Sequence, residues 1–158
     1  MPYIDLYHHL LKKILLILLC SGITATQAGD TLKAFSSDGC SLFPDGHLNS
    51  RELWLPCCTA HDKAYWQGGT WQQRLDADRQ LKQCVAALGE HIVAGLMLNG
   101  VRLGGSPYWP TRFRWGYGWD YLRGYKPLDE QEQQAVHKAL QDYELTTKPI
   151  TTRQNKLQ

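Results

Sequence analysis

Cys57-Cys58-Thr59-Ala60-His61-Asp62-Lys63-Ala64-Tyr65 decides how this chain is read, together with Asp78-Arg79-Gln80-Leu81-Lys82-Gln83-Cys84 downstream of it. Pro56 suits the first turn of a helix, so a helix is expected from there through Trp66, stopping at Gly68-Gly69. Thr70 opens a second helix, with Gln73 placed to complete a capping box, and this helix is expected to run to about Leu88. So short a glycine turn makes the two helices antiparallel neighbours. Counting outward from it, one register sets Cys57 opposite Cys84 and Ala64 opposite Ala77. The same register puts His61 and Tyr65 on either side of the position facing Asp78. Cys57 and Cys58 point about 100° apart on a helix and so reach different partners. Four cysteines allow three connectivities, and the register selects Cys57–Cys84 with Cys40–Cys58.

Outward from this pair the chain remains mainly α. Residues 29–50 read as loop, with turn formers at Asp38-Gly39, Pro44-Asp45-Gly46 and Asn49-Ser50. A third helix is expected over 90–103, with Ile92, Val93, Leu96, Met97, Val101 and Leu103 apolar, ended by Gly104-Gly105-Ser106-Pro107. Residues 107–127 show no period and form an irregular segment rich in Trp, Tyr, Gly and Arg. A fourth helix is expected over 129–143, capped by Asp129 and Glu132, and 146–158 reads as a polar tail.

The N-terminal 1–28 read as a signal peptide. His8, His9, Lys12 and Lys13 precede the apolar run Ile14 to Ile23, and small residues lead to Ala28. A lipoprotein site at Cys20 is disfavoured because Leu19 precedes it. Cleavage leaves a domain over 29–145 and the four cysteines Cys40, Cys57, Cys58 and Cys84, an even set that suits disulfides in a secreted or periplasmic protein. The 158 residues are 43% hydrophobic and 20% charged, a globular composition rather than a disordered one. Their net charge of +2 argues against binding nucleic acid through phosphate neutralisation.

Asp78 is the odd residue of the second helix, on an otherwise apolar stripe of Trp71, Leu75, Leu81 and Val85. A buried carboxylate needs a partner, and His61 and Tyr65 are the natural ones. Taken alone, such a trio is either a general base held in one tautomer or a polar network that specifies packing. Asp62 favours the first. It points to another side, toward the loop that Cys58 ties down through Cys40. A carboxylate beside a turn-rich loop with free carbonyls suits a hard cation such as Ca²⁺. A base beside such a cation suits hydrolysis.

These residues resemble secreted phospholipase A2. The stretch from Cys57 to Tyr65 is similar to that family's active-site helix pattern C-C-x-x-H-D-x-C-Y, and Asp78 to Cys84 is similar to its second helix from the aspartate onward. The resemblance covers roughly Gly39 to Leu88. The family cysteine after His-Asp is Ala64 here, and its partner before the second aspartate is Ala77. The loop Asp38 to Gly46 also departs from the family's Y-x-C-G-x-G-G. The resemblance implies a phospholipase A2-like fold and hydrolysis of the sn-2 ester of phospholipids. It implies His61 as the base that activates water, Asp78 as the residue that orients it, and Tyr65 as a hydrogen-bond partner of Asp78. It implies Ca²⁺ on Asp62 and on loop carbonyls, with Gly39, Ser41 and Phe43 as positional candidates and Asp45 or Gly46 as replacements.

The segment Tyr108 to Trp119 has no counterpart in that resemblance. Its aromatics, interleaved with Arg112 and Arg114, suit a phospholipid or membrane surface or a loop cross-packed on the helices. Two rivals to the hydrolase stand: a non-catalytic module of the same scaffold that binds a lipid or protein partner through this segment, and the same machinery acting on another carboxyl ester.

Overall fold

A computed structural model describes residues 30–147. The expected signal peptide with Cys20, and the end of the polar tail, lie outside the described residues. Within them the fold is mainly helical, with four helices and no strand. They are α1 (Leu55–Gln67), α2 (Trp71–Ala87), α3 (His91–Gly104) and α4 (Glu130–Thr147).

The local signals act as read. Pro56 sits in the first turn of α1. Thr70 accepts a hydrogen bond from the Gln73 amide while the Gln73 side chain accepts from the Thr70 amide. Asp129 and Glu132 make the same reciprocal pair at the start of α4. That helix runs past the expected end: Thr146 and Thr147 belong to it, and both hydroxyls donate to the Tyr143 carbonyl.

Two disulfides join Cys57 to Cys84 and Cys40 to Cys58. The first ties α1 to α2, and the second ties the loop before α1 to its first turn. Ala64 and Ala77 pack in one cluster with Tyr65 and Trp115, as the register requires. A second cluster, of Trp54, Cys57, Cys58, Leu81, Val85, Ala94 and Met97, holds α1, α2 and α3 together. A third joins Phe35, Trp66, Trp119 and Val136, and seats α4.

The irregular segment closes the end of α1. The last carbonyls of a helix lack intrahelical donors. Here Gly116 N donates to the Tyr65 carbonyl (2.6 Å) and Gly118 N to the Trp66 carbonyl (3.1 Å). Trp119 Nε1 donates to the Gln67 carbonyl (2.7 Å), and Trp115 Nε1 to the Gly69 carbonyl (2.9 Å). Glycine is required at 118 because a Cβ there would run into the Trp66 indole. Most of the aromatic–Arg segment is therefore cross-packed. Trp115 and Trp119 are buried, and Arg123 pairs with Asp30 and Glu132. Tyr108, Trp109 and Arg112 stay exposed.

Candidate functional site

The antiparallel seam brings His61, Tyr65 and Asp78 together. His61 Nε2 lies 3.1 Å from Asp78 Oδ1, and the Tyr65 hydroxyl donates to the same oxygen at 2.7 Å. Asp78 is fully buried, while His61 retains 8% exposure. An ionised carboxylate only accepts, so Nε2 carries the proton and Nδ1 is the free basic nitrogen. Among the described residues Nδ1 has no hydrogen-bond partner.

Two arginines complete the network. Arg102 Nε lies 2.7 Å from Asp78 Oδ2. Its N–H is misaligned for a hydrogen bond, so the contact is an ion pair. Arg74, 2% exposed, donates through Nε to the Tyr65 hydroxyl at 3.1 Å. It also donates to Tyr125 and to the Val101 and Arg102 carbonyls. Tyr65 therefore accepts from Arg74 and donates to Asp78. Burial, and then the Asp78 charge, push its hydroxyl well above the ordinary tyrosine range. The α3 backbone approaches so closely at Gly105 that a Cβ there would strike the Tyr65 ring and hydroxyl.

His61 and Tyr65 line a cavity of about 280 Å³. Cys58, Leu81, Met97 and Val101 make its apolar wall; Leu42 and Leu96, 90% and 57% exposed, mark its mouth. Gly39, Cys40, Ser41, Phe43 and Asp62 line the same cavity. His61 and the expected cation ligands thus share one chamber. Asp62 is 8% exposed and accepts from the Ser37 hydroxyl on Oδ2 at 2.5 Å. Burial, aided by the charges of Asp38 and Asp45 and opposed by the Ser37 hydrogen bond, pushes its carboxyl up to about 7. Asp45 and Gly46, named as replacement ligands, do not line this cavity, although the Asp45 carboxylate abuts Gly39. Asp45 Oδ1 accepts from the Cys40 amide at 2.8 Å and braces the loop, and a Cβ on Gly46 would meet the Ser50–Arg51 backbone.

Comparison of the chain with protein-family models, with curated proteins and with solved structures finds no match. The functional reading therefore rests on the site.

Among the described residues no three Asp, Glu, His or Cys side chains converge on one point. The donor set is instead one buried carboxylate with backbone carbonyls, which are hard oxygens suited to Ca²⁺. Gly39 and Ser41 have φ of 76° and 54°, in the left-handed region that lets a tight loop reorient successive peptides. Asp62, raised chiefly by its burial and further by Asp38 and Asp45, stands at the wall of this cavity.

Three contributors go unread from the sequence. Arg74 is legible, since the register that faces His61 toward Asp78 also faces Tyr65 toward Arg74. The partner of Arg102 depends on how α3 crosses α2. Ser37 carries no local signal.

Proposed function

We propose that this chain is an exported phospholipase A2-like hydrolase that cleaves the sn-2 ester of phospholipids with calcium. The observation that carries this reading is the His61–Asp78–Tyr65 relay on the wall of an apolar cavity that also holds Asp62. His61 Nδ1 accepts from no donor among the described residues and takes the proton of an attacking water. Asp78 fixes the tautomer and steadies the ring as it becomes charged. Tyr65, held by Arg74, keeps Asp78 in register. Leu81, Met97, Val101 and Phe113 offer an acyl chain an apolar lining. Asp62 with the carbonyls of Gly39, Ser41 and Phe43 would hold Ca²⁺, which supplies charge stabilisation for a developing oxyanion.

The exposed apolar rim favours a lipid over a small soluble ester. Leu42, Leu96, Ile92 and Leu103 are all more than half exposed, and apolar exposure gathered beside a cavity marks a binding surface. No described helix is long and apolar enough to cross a membrane, so contact would be peripheral.

The test is fatty-acid release from mixed phospholipid vesicles carrying a label at sn-2. The reading expects release that needs calcium and stops with a chelator. Binding to vesicles without turnover, unchanged by chelator, would favour the non-catalytic module. Turnover of short soluble esters but not of vesicles would favour the third reading.

A further inference from the structure

A second cavity, of about 670 Å³, lies beside the first. Asp62 and Phe113 line both cavities and form the partition between them. The first is apolar. The second carries Lys33, Arg112 and Arg114 with Thr111, Tyr117 and Tyr121. An ester seated at the partition would therefore have an acyl side and a headgroup side of opposite character.

Arg114 is the informative residue. It is 6% exposed, and a buried cation ordinarily has an acid beside it. Its two terminal nitrogens donate to the Gly116 and Trp119 carbonyls at 3.0 and 2.7 Å. Its guanidinium also lies over the Tyr121 ring. No carboxylate lies within ion-pair distance among the described residues. Asp120, whose charge it feels, is exposed and already held by Thr31 and Lys33. Burial holds the guanidinium below its ordinary range, partly offset by Tyr121 and Asp120. The Thr111 hydroxyl, in the same wall, is buried and has no hydrogen-bond partner among the described residues. Arg112, between them in sequence, is exposed and makes no ion pair among the described residues. An uncompensated buried cation, an unpartnered hydroxyl and a free guanidinium around one cavity are complementary to an oxyanion.

We propose that this cavity is a headgroup subsite that binds an oxyanion, phosphate or carboxylate, and selects anionic phospholipids over zwitterionic ones. Arg112 and Thr111 contact the anion. Arg114 supplies charge and, through its two carbonyl contacts, holds the wall in place. Asp38 and Asp62 also line this cavity. The lipid specificity rests on the hydrolase reading; the anion site does not.

Monomeric short-chain lipids below their micellar concentration remove the contribution of membrane charge. The wild type should turn over the phosphatidylglycerol monomer with at least about tenfold higher kcat/KM than the phosphatidylcholine monomer, because both carry the phosphate but only phosphatidylcholine brings a trimethylammonium into a cavity lined by Lys33, Arg112 and Arg114. Arg112→Gln and Thr111→Val should each lower that ratio by several-fold, and Arg51→Gln, at an exposed arginine that does not line the cavity, should leave it unchanged. Equal turnover of the two monomers by the wild type, or a ratio that survives Arg112→Gln, overturns the lipid specificity. The binding arm uses glycerol 3-phosphate and inorganic phosphate on the intact His61→Gln protein, read by amide NMR shifts at Thr111 to Arg114. Saturable shifts weakened at least several-fold by Arg112→Gln support the anion site even if no lipid is hydrolysed. Tighter binding of glycerol 3-phosphate than of inorganic phosphate marks a headgroup as the source. Shifts that are absent, or unaffected by Arg112→Gln and Thr111→Val, overturn the site itself.

Discussion

Arg102 and His61 share one buried carboxylate: Arg102 Nε stands 2.7 Å from Asp78 Oδ2 while His61 Nε2 stands 3.1 Å from Asp78 Oδ1. The acid that orients the ring is thus charge-compensated from α3, across the seam from α1. Truncating Arg102 leaves a buried carboxylate oxygen with no partner. Arg102→Met should cost about 1–3 kcal/mol of stability and lower kcat more than it raises KM. Arg102→Lys, which keeps the charge, should recover part of both. Chemical denaturation and vesicle assays on the three proteins check this. An Arg102→Met protein as stable and active as wild type would remove Arg102 from the network.

Gly105 lets α3 touch the relay. A methyl group there would strike the Tyr65 ring and hydroxyl, and so push Tyr65 away from Asp78 and Arg74. Gly105→Ala is expected to cost about 1–3 kcal/mol, as overpacking does, and to reduce turnover at least tenfold. Gly95, whose added Cβ meets open space and which does not line the cavity, serves as the control, and Gly95→Ala should leave turnover unchanged. Equal losses at the two positions would show that α3 tolerates neither change and that Tyr65 is not the cause.

The pH dependence of stability should report on Asp62. Its carboxyl is raised from 3.8 to about 7, so between those values the folded chain holds a proton that the unfolded chain has lost. Stability from this group therefore falls as pH rises through that window. Calcium binds the ionised form, so its stabilising effect grows across the same range. In chelator, melting temperature should decline from about pH 5 to about pH 7.5, and Asp62→Asn should flatten the decline. Added calcium should raise the wild-type Tm more at the upper pH than at the lower. A calcium shift of equal size at both, or one that persists in Asp62→Asn, would assign the cation elsewhere.

The two disulfides should separate stability from metal response. Their sequence separations of 18 and 27 residues correspond to about 3 kcal/mol each in the loop-entropy account. Replacing Cys40 and Cys58 with Ser should also free the Gly39–Phe43 loop and weaken the calcium-induced Tm shift. Replacing Cys57 and Cys84 should lower stability by a similar amount and leave more of that shift. Thermal melts with and without calcium distinguish the two, and an identical calcium response in both variants would uncouple the loop from the cation.

The sequence made the centre of the molecule readable because an antiparallel helix pair joined by a glycine turn has a countable register. Cys57 with Cys84, Ala64 with Ala77, and Asp78 between His61 and Tyr65 all follow from one count, and Arg74 facing Tyr65 was available from it too. The capping boxes at Thr70 and Asp129 were legible because their partners are local. What crosses between non-adjacent elements was not. Arg102 reaches Asp78 only because α3 packs on α2, and Ser37 reaches Asp62 only because the Cys40–Cys58 bond folds the loop back. The aromatic segment carried no period because it forms no regular element: Trp115, Gly116, Gly118 and Trp119 are spaced to meet the carbonyls at the end of α1. The apolar residues of α3 gave its helical period but not its environment. Ala94 and Met97 are buried while Ile92 and Leu103 face outward, 83% and 79% exposed.

The most direct test of the central claim compares wild type and His61→Gln for release of sn-2 fatty acid from calcium-containing mixed vesicles. Both proteins should have the Cys40–Cys58 and Cys57–Cys84 bonds verified first. The account predicts turnover by the wild type and a loss of at least about a hundredfold, the lower end of what a general base contributes, in a His61→Gln protein that still folds and still binds vesicles. Equal turnover by the two proteins, or none by the folded wild type with calcium present, would contradict it.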